Sequence, residues 1–202
     1  MRSGKKRKKK AAVLDSHQRC WVWGAHAVKE ILRAGKWPVL ELHLSESLQE
    51  KEAEEMRTLA ACAGISLVFE SGSRLSRLCH SDEHQGYLAK MAPFPYTAPE
   101  EVLKGIKSGR IYTSGRDVLF AVLDAIQDPF NVGAIIRSAE VLGVDAVIIG
   151  DKRQCGVNSM VARTSAGAVN RMTISKVPDI AEFAEELILR DVRVAGTVEN
   201  GE

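Results

Sequence analysis

Residues 128–143 read DPFNVGAIIRSAEVLG: an Asp-Pro, an Asn, a lone Gly and a lone Arg set between two apolar runs. The run before, DVLFAVLDAIQ, and the run after, VDAVIIG, have the composition of strands buried on both faces. The spacing between them predicts a helix over 132–142, so the unit reads strand, turn, helix, strand. Asn131 is expected to cap the free N–H groups at the start of that helix, and Gly133 to let it pack closely on the strand. Ile135, Ile136, Ala139 and Leu142 form the expected buried stripe, and Arg137 falls away from it. Arg137 nonetheless sits in the first two turns, near the strand ends where a parallel sheet binds its ligands. It reads either as a ligand contact or as a solvated surface arginine.

Working outward, the segment ISKVPDIAEFAEELILRDVRVAGTV offers Asp179 as the cap of a second helix, with Ile180, Phe183, Ala184, Leu187 and Ile188 on its apolar face. VRVAGTV is expected to be a third strand. The repeated β-α-β pattern predicts a mainly parallel sheet with its site at the carboxyl ends of the strands. Neither G-x-G-x-x-G nor G-x-x-x-x-G-K-[ST] occurs, which argues against a dinucleotide fold of the usual kind and against a P-loop.

Towards the N-terminus, Ala27, Val28, Ile31 and Leu32 follow helical spacing and Gly35 then Pro38 supply the stop. VLELHLS alternates Leu40, Leu42 and Leu44 as a half-buried strand does. LQEKEAEEMRTLAACAG is a charged amphipathic helix closed by Gly64, and ISLVF is a short strand. This α-β-α-β order marks a small α/β domain that ends near GYLAKMAPFPY. Pro93, Pro95, Pro99 and the polar run KSGRIYTSGR then read as a connection, with room for a short helix in PEEVLKGIK.

The chain has 202 residues, is 45% hydrophobic and carries a net charge of +2. That charge is uneven: MRSGKKRKKK holds seven of the 28 Lys and Arg, leaving 21 basic against 26 acidic residues elsewhere. Such an arm is either a solvated tail or a salt-sensitive attractor of RNA phosphates. No run approaches a membrane span and no apolar stretch follows the basic start, so the chain reads as cytoplasmic with no membrane partner. The four cysteines are scattered and expected to be reduced and buried. Cys79, His80 and His84 lie close together, and His80 and His84, four apart, would share a face if helical, but CHSDEHQG is rich in turn formers, so a loop is expected there and no metal site.

DAIQDPFNVGAIIRSAEVLGVDAVII, followed by VARTSAGAVNRMTISKV, resembles the first motif and the succeeding segment of the SpoU (TrmH-like) branch of the SPOUT RNA methyltransferases. VWGAHAVKEIL and HQGYLA look like the small, ribosomal-protein-like substrate-binding domain fused to rRNA-modifying members. The resemblance implies an α/β architecture in which this N-terminal domain precedes a SPOUT-type parallel-sheet domain. Its expected divisions are a basic tail over 1–19, the substrate-binding domain over 20–96, a linker over 97–116 and the methyltransferase domain over 117–202. It implies a homodimer using S-adenosyl-L-methionine to methylate a ribose 2′-hydroxyl of ribosomal RNA, with a guanosine of 23S rRNA as the expected target. By the same resemblance Arg137 and Asn131 match the catalytic positions, Ser165 an RNA-binding or active-site neighbour, and Gly196 and Thr197 cofactor contacts.

A guanidinium is a poor proton acceptor at neutral pH, so the expected role of Arg137 is a cationic fork that grips a phosphate and stabilises the developing alkoxide. Two further family motifs, a Gly-Glu-Gly-type turn and an S-L-N-V-S-type segment, do not occur before Glu202. The family's knot is therefore expected to be incomplete and the main methyl-donor motifs to lie beyond residue 202. Three other readings stay open: an RNA-binding protein or fragment without catalysis, a tRNA-directed SpoU enzyme, and, disfavoured by the missing Gly-rich loops, an unrelated nucleotide-binding protein.

Overall fold

A computed structural model describes residues 21–107, 110–111 and 116–197. The basic tail assigned to 1–19 lies outside the described residues. The chain divides into two compact units: residues 1–95, 128–137 and 157–171 form the first, and 96–127, 138–156 and 172–202 the second.

The first unit contains β1 (Trp21–Trp23), α1 (Ala25–Ala34), β2 (Val39–Ser45), α2 (Glu50–Ala63), β3 (Ser66–Glu70), α3 (Gly72–Cys79) and β4 (Tyr87–Met91). Its sheet runs β1-β4-β2-β3, with β2 and β3 parallel across the α2 crossover and the other pairs antiparallel. The expected stops are present: Gly35 and Gly64 both adopt left-handed backbone (φ 62 and 65) and donate their N–H groups back to α1 and α2. Leu42 and Leu44 are fully buried in the interior strand β2, whereas Leu40, at its beginning, is exposed. Trp21, Trp23, Leu75, Cys79 and Leu88 pack into one cluster, which brings α3 onto the sheet.

The second unit contains α4 (Pro99–Lys104), the short hairpin β5 (Ile106–Lys107) and β6 (Arg110–Ile111), then β7 (Phe120–Leu123). Helix α5 (Pro129–Val141) follows; it starts among first-unit residues and ends among second-unit ones. Next come β8 (Ala146–Gly150), α6 (Ser159–Thr164) in the first unit, and β9 (Thr173–Val177) and α7 (Ile180–Ile188) in the second. β7, β8 and β9 make a wholly parallel sheet in that order. Its core is Ala146, Ile148, Val177, Phe183, Leu187 and Ile106. As expected, Asp179 caps α7, its Oδ1 accepting from Ala181 N (2.8 Å) and Glu182 N (3.2 Å).

Four expectations are corrected. Burial on both faces holds for β8, where all five residues are buried, but not for β7, which among the described residues pairs only with β8 and leaves Val122 38% exposed. The third strand is β9, within MTISKV, and residues 192–197 of VRVAGTV form no strand. The stripe of α5 is Val132, Ile136 and Ala139, while Leu142 lies past the helix end and is 73% exposed. Residues 159–164, expected to be loop, are α6, which Asn158 caps by accepting from Met160 N (2.9 Å) and Val161 N (3.0 Å). Within the segment expected as a connection, Thr97 joins the second unit, bridging Ser175 and donating its N–H to Ile174 O (2.9 Å).

Candidate active site

The start of α5 is built by Asp128 and Pro129. Pro129, as first helical residue, has no N–H to satisfy and a φ suited to the helix. Asp128 Oδ1 accepts from Phe130 N (3.0 Å) and its carbonyl from Val132 N (3.1 Å). The cap is therefore Asp128, and Asn131 is not a capping residue as the sequence suggested: Pro129 starts the helix three residues earlier than expected and leaves Asn131 inside its first turn, exposed.

Gly133 is needed for a close approach, though to a helix and not to a strand. A Cβ there would lie 2.7 Å from Thr164 Cβ and 3.1 Å from both Ser165 N and Val161 O. α5 and α6 thus meet backbone to backbone, which places Ser165 beside the first turns of α5. Ser165 itself is buried, and its hydroxyl donates to Ala162 O (3.1 Å), so that group is turned into its own helix.

With Val132, Gly133 and Ile136 buried, Ala134 and Arg137 face outward. Arg137 makes no hydrogen bond, ion pair or ring contact among the described residues. No hydrogen bond joins it to Asn131. Residues six apart on a helix are roughly 120° apart around its axis, whereas side chains that meet are three or four apart. The two predicted catalytic side chains therefore point in different directions from α5.

In the second unit, the loop after β7 is held by Gln154. Its Oε1 accepts from Ile126 N (2.9 Å), and its Nε2 donates to Ile126 O (2.9 Å) and Cys155 O (3.2 Å). Ala125 beside it adopts left-handed backbone, φ 57, which a non-glycine residue holds only when its surroundings impose it. Nothing in the spacing of the sequence marked Gln154 for this. Gly196 and Thr197 line a cavity of about 550 Å³ along β7, together with Val122, Asp124, Ile126 and Leu187. That is the size of a small-molecule site. A Cβ at Gly196 would meet nothing within 4 Å, so the wall there is open.

HQGYLA is a structural staple. His84 Nδ1 accepts from Gly86 N (3.0 Å), His84 Nε2 lies 3.2 Å from Ser76 Oγ, and Gln85 Oε1 accepts from Ala25 N (3.0 Å) at the start of α1. Cys79 Sγ donates to Ser81 O (3.3 Å), and burial pushes its thiol pKa up. These contacts hold the turn before β4 in shape.

Two family profiles match the chain in sequence. Residues 118–202 match the SpoU rRNA Methylase family, and residues 21–97 match the RNA 2′-O ribose methyltransferase substrate binding domain. The 23S rRNA (guanosine-2′-O-)-methyltransferase RlmB of Ralstonia nicotianae is 30% identical over 180 residues, covering 89% of this chain and 69% of that protein. The chain belongs to the SpoU family.

YacO of Bacillus subtilis, assigned by its name to the TrmH family of tRNA/rRNA methyltransferases, is 28% identical over 90% of this chain and 70% of its own length. Among solved SpoU-type folds, the AdoMet-bound rRNA methyltransferase of Sinorhizobium meliloti superposes with a TM-score of 0.65 at 19% identity, over 86% of this chain and 59% of that one. The SpoU methyltransferase AviRb of Streptomyces viridochromogenes, in complex with AdoMet, gives 0.62 at 20%, over 84% and 58%. The chain thus spans just under three-fifths of these two solved chains, and the likeness to them is one of fold: a small α/β module and a SPOUT parallel-sheet domain. No helix among the described residues is long and apolar enough to cross a membrane.

Proposed function

We propose that the chain acts in S-adenosylmethionine-dependent methylation of a ribose 2′-hydroxyl of ribosomal RNA, with a guanosine of 23S rRNA as target, in the cytoplasm and as a homodimer. The division of labour proposed is that of the sequence: RNA binding by residues 20–96, a linker over 97–116 and methyl transfer by 117–202, assisted by the tail over 1–19. The observation that carries this reading is the pair of family matches in order along one chain, together with an arginine at the matching position that is exposed and unpartnered among the described residues.

S-adenosylmethionine, when bound, supplies an electrophilic methyl group on a sulfonium. The residues along 192–197 suit one wall of its site: apolar lining for a nucleoside, Asp124 as an acceptor for hydroxyls, and Gly196 for close approach. Arg137 then grips the phosphate beside the target ribose and stabilises negative charge on the 2′-oxygen as its proton leaves to water. Asn131, pointing elsewhere from the same helix, contacts a neighbouring stretch of RNA. Ser165 serves indirectly, as part of the surface on which α5 rests.

The test is methyl transfer to ribosomal RNA by wild type, Arg137→Lys and Arg137→Ala across pH. The fork predicts a loss of about 10²-fold or more for Arg137→Ala and little recovery in Arg137→Lys. Near-complete recovery by lysine removes the fork. A second reading, RNA binding without methyl transfer, draws on the match of residues 21–97 to the substrate binding domain. Calorimetry with S-adenosylmethionine separates the two, since only the first predicts donor binding.

A further inference from the structure

The first unit contains a cavity of about 450 Å³. It opens between the β1–α1 turn, the turn before β4, and α6. Trp23, Gly24, His26, Glu83, Gln85 and Arg163 line it. Trp23 is buried in the core cluster and presents an aromatic wall. The guanidinium of Arg163 lies over that ring, 4.9 Å from its centroid, and donates from Nη2 to Glu83 Oε2 (3.1 Å). Arg163 is thus held at two points, yet its side chain remains 27% exposed and that of Glu83 77%. Gln85 commits only its Oε1, to Ala25 N, and its amide N–H₂ has no partner among the described residues. Gly24, at φ 99, removes any side chain from the rim.

The chemistry of the lining is specific. A guanidinium laid on an indole is a flat, polarised surface of the kind on which unstacked RNA bases sit. A carboxylate has about four acceptor positions, so Glu83 can hold Arg163 and still accept two parallel N–H donors. Of the four RNA bases only guanine presents two adjacent donors, N1–H and N2–H₂, along one edge. Gln85 and His26 also line the cavity, and an amide N–H₂ or an imidazole N–H can donate to acceptors such as O6 and N7. A purely structural pair would staple α6 to the module equally well, but it needs neither an exposed carboxylate nor open space beside the stack.

We propose that this cavity receives one unpaired guanine of the RNA, stacked on Arg163 and read by Glu83. This rests on the RNA-directed reading above and names a specificity site within it. The test is fluorescence anisotropy of the full chain with labelled single-stranded pentamers at one salt concentration: five uridines, and the same sequence with a central guanosine or adenosine. The expected result is binding of the guanosine pentamer about tenfold tighter than the uridine one, and no such gain for adenosine. Glu83→Gln, a change at an exposed side chain, is expected to bring the guanosine-to-uridine ratio to within about twofold. Arg163→Ala, with its fold checked by circular dichroism, is expected to do the same. If wild type binds all three pentamers alike, the guanine site is overturned while RNA binding stands. If it binds none of them, the RNA-directed reading falls and takes this site with it. Retention of the guanosine preference by Glu83→Gln also overturns the proposal.

Discussion

The two larger sheets of this chain behave differently. In the four-stranded sheet, β2 has a partner on each side, and its last four residues, including His43 and Ser45, are buried. In the three-stranded sheet only β8 is flanked on both sides among the described residues, and Val122 in β7 and Leu119 just before it are exposed beside residues 192–197, which make no strand. β7 is FAVL and β8 is AVIIG, both apolar, so composition alone does not decide burial. What decides it is what packs over the strand: β1 is an edge strand too, yet all three of its residues are buried, two of them in a cluster with α3, a contact distant in sequence. The candidate methyl-donor cavity lies along the less covered strand, whereas the proposed guanine cavity lies in the unit with the more complete sheet.

The largest test of that contrast is a pair of truncations read by chemical denaturation. Ile148→Ala, in the middle of β8 and fully buried, is expected to cost about 3 kcal/mol from lost burial and the cavity left behind. Val122→Ala, on the exposed edge of β7, is expected to cost less than about 1 kcal/mol. Equal losses would mean that β7 is covered in solution and the contrast false.

Gly133→Ala sharpens the account of how α5 is seated. Alanine in a helix interior gains about 1 kcal/mol over glycine, while overpacking costs about 1–3 kcal/mol. Here the new methyl would meet a Cβ at 2.7 Å and backbone N and O at 3.1 Å, none of which can swing away, so the clash wins. The expected net loss is about 1–2 kcal/mol, with a fall in RNA methylation as α5 shifts. A stabilised Gly133→Ala protein would show that α5 and α6 are not in this contact.

Smaller effects come from a cap in one unit and an ion pair in the other. Asp179→Ala removes the acceptor of two N–H groups at the start of α7 and is expected to cost about 1 kcal/mol, and Asp179→Asn much less. In the first unit, Lys29 and then Arg33 hold the Glu55 carboxyl below its ordinary 4.5. A carboxyl whose pKa is depressed by folding adds stability that is complete above its ordinary value and lost as pH falls through the depressed one. Stability measured from pH 6 to pH 3 should therefore fall less steeply in Glu55→Gln than in wild type. The difference stays below about 1 kcal/mol because the pair is surface-screened. An unchanged acid slope would remove the pair from the account.

Much of the first unit was legible because its signals are local. Gly35 and Gly64 end helices by their own backbone freedom, and the α1 stripe Ala27, Val28, Ile31 and Leu32 is one periodic pattern. The parallel sheet and Asp179 were legible for the same reason. What was missed depends on partners. Asn131 has a capping residue's chemistry, but Asp128 with Pro129 starts the helix sooner. α6 is only six residues long, rich in small side chains and without a stripe, although Asn158 before it was a readable cap. Gln154 and the Arg163–Trp23 stack join residues far apart in sequence, and no single-chain period reports such pairs. Of the five site residues, the structure leaves Arg137 and Asn131 exposed, buries Ser165, and sets Gly196 and Thr197 on a cavity.

The central claim is that the exposed guanidinium of Arg137 meets RNA. It is tested most directly by the salt dependence of RNA affinity, measured with wild type and Arg137→Ala on one ribosomal RNA hairpin between about 50 and 200 mM salt. The account predicts weaker binding by Arg137→Ala and a slope of log affinity against log salt shallower by about one, the signature of one lost phosphate contact. Identical slopes and affinities in the two proteins would contradict it.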